Sequence, residues 1–220
     1  MSVHNFLIHQ EKERLVSLAD ISPRIHVFPY YFHQKIPGAQ PCCYVREGVA
    51  ERLIAAASLL PADLQLVVLD GWRPYEVQLA LYENIKSQVM TDHPQASPSD
   101  ILEILHTFVA KPSQDIERPS PHMSGGAVDV TLGTEQGWLD MGTGFDEISE
   151  RSATAWYEEH QDETNGAIRE NRRLLVDCMT RAGFTNYEAE WWHYDFGNHR
   201  WAALTGQTVL YKGILHRQIK

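Results

Sequence analysis

Apolar positions along the chain fall into a few periodic stretches set apart by turn-forming residues. Residues 50–60 repeat alanine, leucine and isoleucine at helical spacing and stop at Pro61, which predicts a helix. Residues 64–69 (L-Q-L-V-V-L) are short, β-branched and bounded by turn residues, as expected of a strand. D-G-W-R-P follows as a turn, with Pro74 suited to open a helix over residues 75–89. Residues 101–110 form another apolar-periodic segment, read as a helix capped by Ser99 or Asp100 and bracketed by linker-like stretches at 93–100 and 111–121.

Further along, residues 127–132 (A-V-D-V-T-L) alternate, with Val128, Val130 and Leu132 on one face and Asp129 and Thr131 on the other. That predicts a second strand. Residues 133–165, rich in glycine, acidic and aromatic side chains, read mostly as loop. Residues 167–182 form an amphipathic helix stopped by Gly183. Five aromatics within residues 187–196 suit a pair of strands around a bend. Helices and strands of mixed order with few βαβ repeats predict an α+β fold: one domain over residues 1–220, its central sheet mainly antiparallel and flanked by helices.

Charge narrows the partners. The formal net charge of −10, from 29 acidic against 19 basic residues, opposes attraction to nucleic acid or an anionic membrane surface. No segment approaches the roughly 20 apolar residues of a membrane span. The N-terminal stretch M-S-V-H-N-F-L-I-H-Q-E-K-E-R has only a four-residue apolar run, too short for a signal peptide. Three cysteines, two of them adjacent at Cys42 and Cys43, are neither a disulfide framework nor a paired zinc motif, so a reducing cytoplasm is expected. The sequence leaves a homo-oligomer open.

Candidate chemistry begins with Asp129, a carboxylate on a strand of strong β-formers, where it needs solvent or a cation. A zinc ion is one candidate, since three ligands from His, Asp or Glu and one water describe a catalytic zinc site. His122, seven residues earlier, can reach the same point because Gly125 and Gly126 let the chain fold back tightly. E-A-E-W-W-H-Y-D-F supplies His193 as a third ligand and Glu190 as a carboxylate able to activate water. A flat strand puts positions 190 and 193 on opposite faces, so this reading requires a turn or bulge between them. Arg73, in D-G-W-R-P, can offer a fixed guanidinium to developing negative charge. Taken singly, each feature also has a bland reading: an ordinary surface or core histidine, a Trp pair that only packs, a salt-bridging arginine. Their joint occurrence favours the chemical one.

Together S-x-H-x-x-G-x-A-x-D-x-T-L, D-x-W-R-P, M-G-T-x-F-D and E-W-W-H-Y resemble the D-alanyl-D-alanine dipeptidases, the VanX-type branch of the zinc D-Ala-D-Ala peptidases, over about residues 21–196. The resemblance implies a D-Ala-D-Ala peptidase, hedgehog-like fold with one zinc at the sheet. It implies His122, Asp129 and His193 as zinc ligands, Glu190 as catalytic base and Arg73 as the transition-state arginine. By the same likeness Ser120 holds the substrate carboxylate and Asp146 lies near its amino group. The family usually has a tyrosine in the N-terminal extended segment that closes over the amino end. Here R-I-H-V-F-P-Y-Y-F puts His26 there, with Tyr30 or Tyr31 as nearby substitutes.

The expected activity is zinc-dependent hydrolysis of the small dipeptide D-Ala-D-Ala in peptidoglycan precursor or cell-wall dipeptide metabolism. Rival readings are a D,D-carboxypeptidase or peptidoglycan endopeptidase with the same zinc site, against which the Asp146 motif and the missing export signal count, and a non-catalytic zinc-binding domain, against which Glu190 and Arg73 count.

Overall fold

The computed structural model describes residues 14–215. The N-terminal stretch inspected for a signal peptide therefore lies outside the described residues, except for Arg14. Among the described residues no helix is long and apolar enough to cross a membrane.

In chain order the elements are β1 (Leu15–Ser17), β2 (Ile25–Val27), α1 (Tyr30–His33), β3 (Tyr44–Arg46), α2 (Glu47–Leu59), β4 (Gln65–Asp70), α3 (Tyr75–Asp92) and α4 (Pro98–Phe108). After a long connection come β5 (Ala127–Thr134), β6 (Gly137–Trp138), α5 (Trp156–Glu159), α6 (Gly166–Arg181), β7 (Thr185–Asn186), β8 (His193–Asp195) and α7 (His199–Thr205). The sheet runs β2-β4-β5-β8-β7, with β6 paired to the far end of β5; β1 and β3 form a separate ribbon. The β2–β4 pair is parallel and the other pairs of this sheet are antiparallel. The architecture is α+β as expected, and the sheet is mainly antiparallel, with the β2–β4 pair its one parallel pairing among the described residues.

Alternation along β5 decides which face becomes core. Val128, Val130 and Leu132 are fully buried together with Leu66 and Val68 of β4, under Leu53, Ala56 and Ala57 of α2 and Leu175 and Met179 of α6. Fully burying a Val or Leu side chain contributes about 1.5–3 kcal/mol, so this face fixes the strand register. The opposite face carries Asp129 and the groups that meet it. One face of the sheet is thus spent on stability, and the other is left for polar chemistry.

Several boundaries differ from the sequence reading. α4 starts at Pro98, three residues early, because Ser97 is the cap: its hydroxyl accepts from the Asp100 amide while the Asp100 carboxylate accepts from the Ser97 amide. The expected pair of strands around a bend is present but shifted, spanning residues 185–195, with most of the aromatic run in the turn. The first strand, β7, ends at Asn186; residues 187–192 form the turn, and only residues 193–195 extend as β8. Trp191, Trp192, Tyr194 and Phe196 are aromatic because they are buried. Residues 133–165 are mostly loop, interrupted by β6, a short 3-10 turn at Glu150–Ser152 and α5.

Candidate active site

The site is built at the centre of the sheet. Asp129 of β5 is the register partner of His193 on β8 and, across a bulge, of Asp70 on β4. Strand pairing alone therefore sets two imidazole or carboxylate groups beside it. His122 arrives on a short 3-10 turn, His122–Ser124, closed by Gly125 at φ 71°. A Cβ on Gly125 would stand 2.8 Å from Leu15 Cδ2, and one on Gly126 would stand 2.5 Å from the Phe196 carbonyl oxygen. Only glycine permits the left-handed turn and the close approach that fold His122 back over Asp129.

The three side chains converge closely. His122 Nε2 lies 3.3 Å from Asp129 Oδ2, His193 Nδ1 lies 3.1 Å from Asp129 Oδ1, and the two imidazole nitrogens are 3.1 Å apart. With one donor atom taken from each residue, all three lie within 4.8 Å of one another. Donors about 2.0–2.2 Å from a common tetrahedral centre stand about 3.3–3.6 Å apart, so the set fits a zinc-sized ion. Outer partners orient the rings: His122 Nδ1 meets the Gly71 carbonyl at 2.8 Å and His193 Nε2 meets Asp195 Oδ1 at 3.2 Å. These partners assign the protons to the outward nitrogens and turn the lone pairs of Nε2 and Nδ1 inward. Two lone pairs and a carboxylate facing one another, each residue no more than 5% exposed, require a cation or a proton between them.

In the metal-free protein a proton fills that need. Burial alone would lower the His193 pKa, but Asp195 and Asp129 outweigh it and raise it to about 10. Burial would raise the Asp129 carboxyl, yet the charges and hydrogen bonds of His122 and His193 hold it well below the usual carboxylate range. A metal ion would compete with that proton.

Glu190 reaches the same centre through the turn that the sequence reading required. The Glu190 amide donates to the Tyr187 carbonyl at 2.9 Å and the His193 amide donates to the Glu190 carbonyl at 3.3 Å, while Asn186 Nδ2 donates to the carbonyls of both Glu190 and His193. Glu190 Oε2 comes within 3.9 Å of His193 Nδ1 without joining the triad's contacts to Asp129. Burial pushes its carboxyl up to about 8, against the His193 charge.

Arg73 is held on every arm. Its Nε donates to Asp70 Oδ2 at 2.8 Å, Nη1 to Gln78 Oε1 at 2.9 Å, and Nη2 to the Tyr31 hydroxyl and Asp129 Oδ2, both at 3.3 Å. The Tyr31 hydroxyl in turn donates to Asp146 Oδ2 at 2.7 Å. Asp146 takes a left-handed φ of 62°, which aspartate tolerates better than most residues. Burial pushes its carboxyl up to about 6, against the Tyr31 hydrogen bond and the Arg73 charge.

Tyr31, Arg73, Gln78, His122, Asp129, Asp146, Glu190 and His193 line one cleft, walled by Leu81 and Ile85 of α3 and by the chain that leaves α4. Two of the expected substrate residues do not line it. His26 is exposed on β2, paired with Val67, and borders a separate surface hollow beside Asp20 and Cys42. Tyr31 of α1 takes the place beside Asp146 instead, because α1 turns the chain toward α3, where Tyr31 packs with Val77 and Leu81. Ser120 is buried just before the 3-10 turn, its hydroxyl without a hydrogen-bond partner among the described residues. The sequence reading passed over Asp70, Gln78, Tyr187, Asp195 and Arg200. For Asp195 the signal was there: it stands two residues from His193 on a strand, hence on the same face.

Comparison with known proteins gives a consistent picture. Residues 15–209 match the Peptidase M15 family model, described as D-Ala-D-Ala dipeptidase. The D-alanyl-D-alanine dipeptidase of Escherichia coli (strain K12) is 31% identical over 188 residues, 82% of this chain and 83% of that protein. The one from Synechocystis is 30% identical over 179 residues, covering 72% and 71%, and the one from Enterococcus faecium is 40% identical over 157 residues, covering 66% and 69%. With a family match over most of its length and relatives of this identity and coverage, the chain belongs to the Peptidase M15 family of D-Ala-D-Ala dipeptidases.

Proposed function

We propose that the protein hydrolyses the free dipeptide D-Ala-D-Ala to two D-alanines, with a zinc ion held by His122, Asp129 and His193, within peptidoglycan dipeptide metabolism. The observation that carries this reading is the convergence of those three donors at 3.1–3.3 Å with Glu190 and Arg73 on the same cleft. Bound zinc supplies a Lewis acid and lowers the pKa of a water to about 7.

The protein's own residues supply the rest. Glu190, close to the triad but held apart by its turn, takes the proton of the attacking water and returns it to the leaving amine. Its enclosed position makes it more basic than an exposed glutamate, which suits both transfers. Arg73 presents a guanidinium fixed by Asp70 and Gln78 to the oxygen that becomes negative in the transition state, so little reorganisation is needed. Asp146 and the Tyr31 hydroxyl offer an acceptor pair to the substrate ammonium. The apolar wall from α3 limits water around the reacting bond.

The test is an assay of zinc-loaded protein against D-Ala-D-Ala, L-Ala-L-Ala and a longer peptide ending in D-Ala-D-Ala. The reading expects the first alone to be a good substrate. Preference for the longer peptide would favour a carboxypeptidase, and activity on none of them a non-catalytic zinc domain.

A further inference from the structure

The cleft contains a second arginine whose situation is opposite to that of Arg73. Arg200 is the second residue of α7, and the start of that helix is tied to β8: Asn198 caps it by accepting from the Trp201 amide at 3.0 Å and donates its own amide to Asp195 Oδ1 at 2.5 Å. From there the Arg200 guanidinium lies over the Tyr187 ring, 3.9 Å from its centroid. Its Nε faces Asp195 Oδ2 at 3.8 Å, beyond hydrogen-bonding distance. The side chain is 31% exposed and lines the cleft alongside Glu190, His193 and Tyr187.

We propose that Arg200 receives the terminal carboxylate of the dipeptide. This rests on the dipeptidase reading and extends it to the opposite end of the substrate from Asp146. The cleft carries Asp129, Asp146 and Glu190, a setting hostile to a second carboxylate unless a cation meets it. Arg73 is already engaged in this reading: Asp70, Gln78, Tyr31 and Asp129 hold its arms, and the N–H left to it serves the oxyanion. Arg200 makes no hydrogen bond to a described residue, so its planar fork of donors is open to a planar anion. Stacking on Tyr187 and the nearby Asp195 charge hold that fork in one orientation before substrate arrives, which lowers the entropy lost on binding. Ser120, the other residue expected at this end, does not line the cleft.

The prediction is a preference for a free C-terminus that depends on Arg200. Kinetics of the zinc-loaded protein and of Arg200→Gln and Arg200→Lys are compared on D-Ala-D-Ala and on its C-terminal amide. Arg200→Gln should lose about 10- to 100-fold in kcat/KM on the free acid, mainly through KM, while barely altering the amide, as expected for a hydrogen-bonded charge pair. Arg200→Lys should recover part of the loss. Calorimetric binding of both compounds to Glu190→Gln protein, with and without Arg200→Gln, should repeat the same selectivity in the absence of turnover. Equal losses on acid and amide would overturn the proposal and leave Arg200 as a support for Asp195 and Tyr187. If the unaltered protein neither binds nor cleaves either compound, the dipeptidase reading itself fails and this assignment falls with it.

Discussion

Asp129 and His193 are direct partners across β5 and β8, and that pairing holds Oδ1 of one 3.1 Å from Nδ1 of the other. In the proposed metal centre Asp129 is the carboxylate ligand, and strand register fixes its place. Asp129→Asn keeps the shape and removes the charge. The variant should fold yet hold far less than one zinc per chain after dialysis, read by metal analysis beside circular dichroism. Full zinc occupancy in Asp129→Asn would show that this carboxylate is not a ligand.

Glu190→Gln should separate chemistry from coordination. Glu190 lies near His193 Nδ1 at 3.9 Å but is not one of the three converging donors. Zinc content should stay unchanged while kcat falls by about 10²- to 10⁴-fold, the usual contribution of a general base. Loss of the metal in this variant would make Glu190 a ligand.

The pH dependence of stability follows from three protons that the fold retains. In the metal-free protein His193 is raised to about 10 by Asp195 and Asp129, outweighing burial; burial raises Glu190 to about 8 and Asp146 to about 6. Each group holds its proton to higher pH than in the unfolded chain. As pH rises the unfolded state therefore releases protons first, and the native state loses stability between about pH 4 and pH 10. Asp129 acts in the opposite sense, its contribution being lost only as pH falls below the ordinary carboxylate range. Melting curves in chelator should show Tm falling from mildly acid to alkaline pH. In the proposed centre a zinc ion would displace the His193 proton, so the rise in Tm on adding zinc should grow with pH. A zinc increment independent of pH would contradict the coupling.

Arg73 joins function to stability. Arg73→Ala leaves the Asp70 carboxylate and the Gln78 amide without their buried partner and should cost about 3–5 kcal/mol in denaturant unfolding, as for a broken buried pair. Arg73→Lys keeps a charge but cannot serve four acceptors at once. It should fold, with kcat reduced much more than KM is raised, because the interaction with the oxyanion is complete only in the transition state. A change in KM alone would recast Arg73 as a ground-state clamp.

Much of this site was legible in the sequence because its parts are local. The alternation of A-V-D-V-T-L put Asp129 on the face opposite the core, and the structure finds the Val128, Val130 and Leu132 face buried under α2 and α6. The H-x-x-G-G spacing and the need for a turn between Glu190 and His193 were readable for the same reason. What escaped depends on long-range packing. No local pattern reveals that α1 carries Tyr31 to Asp146, 115 residues away, or that Gln78 bridges Arg73 and the Ala110 carbonyl. His26 was placed by its position in an extended segment, but which tyrosine or histidine faces the cleft is decided by how α1 packs on α3. The strand pair around the aromatic run was placed two residues late at its start, because burial in a turn selects the same residues as a sheet does.

In the proposed function the cleft recognises a free dipeptide by its charged ends, and a metal held by His122, Asp129 and His193 would act with Glu190 to cut it. Asp146 and Tyr31 face the ammonium in this account, and an acyl group there leaves an enclosed carboxyl without its charge partner. The direct measurement is kcat/KM of zinc-loaded protein for D-Ala-D-Ala against N-acetyl-D-Ala-D-Ala. The account predicts a ratio above about one hundred, corresponding to the roughly 3 kcal/mol or more lost when a buried pair is broken. Comparable values for the two compounds would contradict it.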